Sequence, residues 1–150
     1  MARSAPEGSP VMWILVACHG FHILEEYLFD LPAWARSVGV QVGWQDFHIL
    51  NAALLLFGIC AAMTAWSAPA FSLSFPAHLL LNALFHLSAS AAGGHLNPGV
   101  FTSTLLFIPL GIACFSIARR DGVLTRRRVL IALAIAGAVH STPLVFVVLR

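Results

Sequence analysis

A chain of 150 residues is long enough for one folded domain, but it is 59% hydrophobic, 9% charged and has a mean hydropathy of +0.88. A soluble domain carries about 25% charged residues, so this chain cannot clothe a water-facing surface, and its hydrophobicity equally excludes disorder. The net charge is +2 with every base an Arg, and five of the eight, Arg119, Arg120, Arg126, Arg127 and Arg128, crowd one short segment. They are not spread along a face, so no nucleic-acid partner is indicated. The class that fits is an all-α, polytopic membrane helix bundle, read as a single domain over residues 1–150.

In chain order, the first ten residues are short and polar. The apolar run behind them lacks a small-x-small cleavage site, so it reads as a retained transmembrane helix rather than a signal peptide. A span needs about 20 mostly apolar residues. Five stretches qualify: about Val11 to Phe29, Asp46 to Trp66, Pro76 to Gly93, Gly99 to Ala118 and Arg128 to Leu149. Pro109 and Pro143 fall inside the last two, which membrane helices tolerate. The first connection, Asp30 to Gln45, carries Trp34 and Trp44 and reads as an interfacial loop. Cys18, Cys60 and Cys114 lie in separate apolar runs with no C-x-x-C pairing, as small buried hydrophobes do. Placing the Arg-rich segment inside puts the N-terminus in the cytoplasm and the C-terminus outside.

That topology predicts the depth of the polar side chains. His22, Glu25, Glu26, Asp46, His48, His86 and His140 fall toward the outer half, Asn82 near mid-membrane and His95 in the outer loop between the third and fourth helices. At about 100° per residue, His19, His22 and Glu26 share a stripe of the first helix, with Glu25 on its flank. His78, Asn82 and His86 are spaced four apart and share a face of the third. Facing stripes of His and carboxylate are how helix bundles build metal sites. Two adjacent carboxylates in lipid are costly. A divalent cation such as zinc or iron offsets that cost, with neutral His as nitrogen ligands. A metal-free solution also exists, in which one Glu is protonated or pairs with imidazolium. The expected metal set is His22, Glu25, Glu26, Asn82 and His86, with Glu25 and Glu26 as catalytic carboxylates. His19, His48, His95 and His140 are further candidates.

Each residue also has a plainer role. The Glu pair can snorkel to the headgroups, Asn82 can bond between helices, and Asp46 can cap a helix start. His78 can be interfacial. Ser88, Ser90, Thr102, Ser103 and Thr104 read as helix-packing hydroxyls, and Asn97-Pro98-Gly99 reads as a turn.

The run His22-Ile23-Leu24-Glu25-Glu26 resembles the signature of the HXXEE family of small bacterial membrane proteins. Asn82-Ala83-Leu84-Phe85-His86 is similar to that family's N-x-x-x-H segment, and Pro98-Gly99 to its later turn. Leu96 stands where the family usually carries an aromatic, with His95 beside it. The three motifs cover about residues 19 to 110 in order. The resemblance implies an integral membrane protein, in a bacterial inner membrane, without an assigned reaction. It carries over to His22, Glu25, Glu26, Asn82 and His86, and to Pro98 and Gly99.

Three functions compete. One is a metal-dependent membrane enzyme that hydrolyses or oxidises a hydrophobic or lipid-like substrate, with a Glu as general base. Another is a metal-free acid/base isomerase. The third is a non-enzymatic ion carrier or interaction partner. Transport ranks lower, because the polar residues thin out on the inner half, where only His78 remains.

Overall fold

The computed structural model describes residues 8–148, all of whose regular structure is helical. Helix α1 is Gly8–Leu28. Its run ends at Asp30, which adopts a left-handed conformation (φ 50°) and whose carboxylate accepts the N–H of Ala33 at 3.0 Å. That cap starts α2, Leu31–Ser37, with Pro32 in its first turn. The interfacial loop expected between Asp30 and Gln45 therefore contains a short helix. Seven residues are too few to display a helical period, although Asp30-Leu31-Pro32 is a capping sequence.

Helix α3, Trp44–Thr64, begins where Asp46 Oδ2 accepts the N–H of Gly43 at 3.0 Å. A 3₁₀ turn, Ala65–Ser67, and the one-turn α4, Pro69–Ser72, lead into α5, Ser74–Gly93. Gly94 closes α5 with φ +67°. Helix α6, Val100–Arg120, contains a π-helical stretch over Ser103–Phe107. Pro109 follows at once and has no N–H for the carbonyl four residues back, so the ladder widens just before it. Helix α7, Arg126–Val148, carries Pro143 within it.

Among the described residues, four helical stretches are long and apolar enough to cross a membrane: Pro10–Leu28, Trp44–Ser67, Pro69–Gly93 and Val100–Arg120. The fifth expected span corresponds to α7, which opens on three Arg and packs along α5. The expected starts and ends lie within about three residues of those of α1, α3, α5, α6 and α7, except that the expected end at Leu149 lies outside the described residues.

Helix α5 is central and touches α1, α3, α4, α6 and α7. The core is built from residues that include Met12, Leu15, Leu79, Phe107 and Cys114, with Phe107 reaching the ring of His22 at 4.8 Å. Gly58 of α3 admits the Phe75 ring so closely that a Cβ there would lie 2.5 Å from Phe75 Cζ. Large apolar side chains such as Leu56, Met63, Leu84, Leu105 and Ile112 are exposed on the outside of the bundle. A soluble protein hides such residues, whereas lipid solvates them. At the Arg-rich end, Trp66 Nε1 donates to Asp121 Oδ2 at 2.8 Å and ties α4's approach to the α6–α7 turn. The opposite end holds the polar site.

Candidate metal centre

The last two turns of α1, the last two of α5 and the turn that starts α6 meet at the end of the bundle away from the Arg cluster. His22 and Glu26 stand four residues apart on α1, so the helix stacks them on one face. His22 Nε2 lies 3.3 Å from Glu26 Oε1. His86 from α5 brings its Nε2 to 3.5 Å from the same oxygen. All three side chains are buried, with residue exposures of 1%, 6% and 1% for His22, Glu26 and His86. One ligand atom from each falls within 4.8 Å of the others, and among the described residues this is the one such grouping of three or more. Ligands bound at about 2.0–2.2 Å around a tetrahedral ion sit about 3.3–3.5 Å apart. The two separations from Glu26 Oε1 fall in that range.

The outward nitrogens define how the rings are turned. His86 Nδ1 is 3.1 Å from Asn97 Oδ1, and an amide oxygen only accepts, so Nδ1 is the donor. Asn97 is itself held, because Ser90 Oγ donates to the same Oδ1 and accepts from the Asn97 N–H. His22 Nδ1 is 2.9 Å from Thr102 Oγ1. The Thr102 hydroxyl spends its one hydrogen on Glu25 Oε2 at 2.5 Å, so it accepts from His22 Nδ1. Ser103 Oγ donates to the Gly99 carbonyl and lies 3.5 Å from the same nitrogen. These far-side partners turn each Nε2 toward Glu26. Such second partners orient metal-binding His.

Glu25 takes a different place from its neighbour. Its Oε1 accepts the backbone N–H groups of Gly99 and Phe101, each at 3.1 Å, and its Oε2 accepts the Thr102 N–H at 2.7 Å. Together with the Thr102 hydroxyl, four hydrogen bonds hold this carboxylate at the start of α6. The positive end of that helix favours it there. Glu25 thus pins the α6 start onto α1.

Gly99 makes the arrangement sterically feasible. Its φ is +95°, and a Cβ on it would stand 2.6 Å from Cε1 of both His22 and His86. Only glycine fits between the two rings.

The remaining candidate polar residues sit elsewhere. Asn82 is one turn deeper than His86 on α5, and its Oδ1 has no partner. His19 stacks one turn below His22, with ring centroids 6.2 Å apart. His140 faces His78 at 5.6 Å and Phe85 at 6.0 Å. His48 is exposed and stacks on Trp44 at 6.0 Å, beside Asp46, which caps α3. His95 is exposed and bonds the Gly93 carbonyl at 2.7 Å. From sequence, Thr102 and Ser90 read as packing hydroxyls and Asn97 as part of a turn. In the fold all three position the imidazoles. Asn-Pro-Gly is the visible signal, since a turn with an obligatory glycine brings backbone close to something.

The HXXEE family, proteins of unknown function with an HXXEE motif, matches residues 13–114. The chain belongs to this family. Among curated proteins and among solved structures, none matches it. The signature letters of this HXXEE protein divide by role: the His and second Glu enter the cluster, and the first Glu holds the helix that closes it.

Proposed function

We propose that this HXXEE protein is an integral membrane metalloenzyme, with His22, Glu26 and His86 holding a divalent zinc or iron ion. The observation that carries the reading is the convergence of three buried ligand atoms. Both Nε2 atoms are turned toward Glu26 Oε1 by hydrogen bonds on their far sides. A buried carboxylate between two imidazoles calls for a positive partner, and a divalent cation supplies one. Two imidazoles and a carboxylate suit a catalytic ion, because three protein ligands leave a position open.

A bound ion of this kind polarises a carbonyl oxygen or acidifies a bound water. Around it, Thr102 and Asn97 hold the imidazoles in orientation, and Glu25 keeps the α6 start in place. The reaction class is hydrolysis or oxidation of a hydrophobic, lipid-like substrate reached from the bilayer. With the Arg-rich turn in the cytoplasm, the site belongs to the outer half of a bacterial inner membrane, the N-terminus inside and the C-terminus outside. We take residues 1–150 as one domain serving this site.

The test is elemental analysis of detergent-purified protein after loading with zinc or iron and removal of excess. The expected result is about one equivalent of metal in the intact chain. A His22→Ala/Glu26→Gln variant should bind almost none. An intact protein holding under about a tenth of an equivalent overturns the metal reading. It would leave a proton shared between Glu26 and an imidazole, and with it the acid/base isomerase.

A further inference from the structure

Beside the metal centre, under α2, lies a cleft of about 320 Å³. It is lined by Glu25, Trp34 and Asn97 and by the apolar Phe29, Leu96 and Phe101. Two lining side chains carry buried donors with no partner, Trp34 Nε1 and Asn97 Nδ2. In this orientation Asn97 Oδ1 accepts from His86 Nδ1 and Ser90 Oγ, which leaves Nδ2 to the cleft. Glu25 does not relieve the two donors, since its oxygens are engaged by Gly99, Phe101 and Thr102. A buried donor without an acceptor is costly, so two in one cleft mark a place for an acceptor from outside the chain.

The walls and charge narrow the ligand. Neither Arg nor His is among the described residues that line the cleft, while a carboxylate is. An anionic head group would meet Glu25 with no countercharge. A cationic head would have no use for the two N–H donors. The aromatic and aliphatic walls suit a hydrocarbon chain.

We infer that the cleft binds a neutral acyl carbonyl, an ester or amide on an aliphatic chain, with Trp34 Nε1 and Asn97 Nδ2 donating to its oxygen. Asn97 also holds His86, so the carbonyl is seated one side chain away from the metal centre. This names the substrate class of the proposed enzyme. It rests on that reading only for the fate of the ligand, because binding in the cleft needs no ion.

The test is a titration of metal-free, full-length protein in dodecyl maltoside with methyl decanoate and with decanamide, each labelled with ¹³C at the carbonyl. Decanoate and decane serve as controls. The expected result is saturable binding of ester and amide, a downfield shift of the Trp34 indole N–H, and affinity for decanoate at least about tenfold weaker. Trp34→Phe keeps the ring packing and removes one donor, and should weaken the ester by about two- to tenfold. Equal binding of all four probes, tighter binding of decanoate, or an unmoved Trp34 indole signal in the intact protein overturns the proposal. The indole readout needs no variant, so it stands if Trp34→Phe fails to fold. Metal content is measured separately, so a cleft that fails here leaves the metal reading standing, and the reverse also holds.

Discussion

Two layers of histidine lie one above the other in this bundle, and they are built differently. In the upper layer, His22 and His86 each have a hydrogen-bonded Nδ1 and a free Nε2 turned to Glu26. In the lower layer, both nitrogens of His19, both of His78 and the amide oxygen of Asn82 are buried without partners. The residue types are alike, and so is the burial. The difference lies in what surrounds them. The upper layer abuts the start of α6, which supplies Thr102, Gly99 and the Asn97 turn. The lower layer is packed among Phe57 and Phe75, with ring centroids about 6 Å away, and Phe107 lies between the layers, 6.2 Å from His19 and 4.8 Å from His22. Oriented partners make an imidazole a defined ligand, whereas an aromatic cage only excludes water.

Four substitutions probe this contrast. The largest effect is expected from Gly99→Ala. It places a methyl 2.6 Å from two imidazoles at a φ of +95°, and should cost about 2–5 kcal/mol from strain and overpacking together. Thermal unfolding in detergent checks it; a wild-type melting temperature would mean that the turn does not enter the upper layer. Glu25→Gln comes next. An amide nitrogen would face backbone N–H groups, and the loss of charged hydrogen bonds should cost about 2–3 kcal/mol in the same assay. If Glu25 were instead only a ligand, the variant would melt normally and lose metal.

Thr102→Val isolates orientation from ligation. It removes the partner of His22 Nδ1 without touching a ligand atom, and should lower metal affinity about 10–100-fold, read by competition with a chromogenic chelator. The smallest effect belongs to the lower layer. His78→Phe replaces two unpartnered nitrogens by carbon and should leave metal content unchanged, with stability shifted by no more than about 1 kcal/mol in either direction. Loss of metal in that variant would join the two layers into one site.

The spans are legible from sequence because hydropathy is a local property. Each span carries its apolar composition along its own length, whatever it packs against. The stripe His22–Glu26 is legible because α-helical spacing alone stacks residues four apart. The short helix α2 is not, since seven residues give no period and Asp30 has to be read as a cap. The separate fates of Glu25 and Glu26 are also hidden. Adjacent residues on a helix point about 100° apart, and what each meets depends on which helix end arrives there.

The order of amino acids is enough to establish a membrane bundle of the HXXEE kind and to mark its few buried carboxylates as the place to look. Which carboxylate faces the imidazoles is settled only by the packing of the helices. The start of α6, 73 residues beyond Glu26 at Gly99, brings N–H donors to one oxygen pair and leaves the other to the histidines. Hydrogen-bond direction, unlike hydropathy, is defined only between groups that have already met.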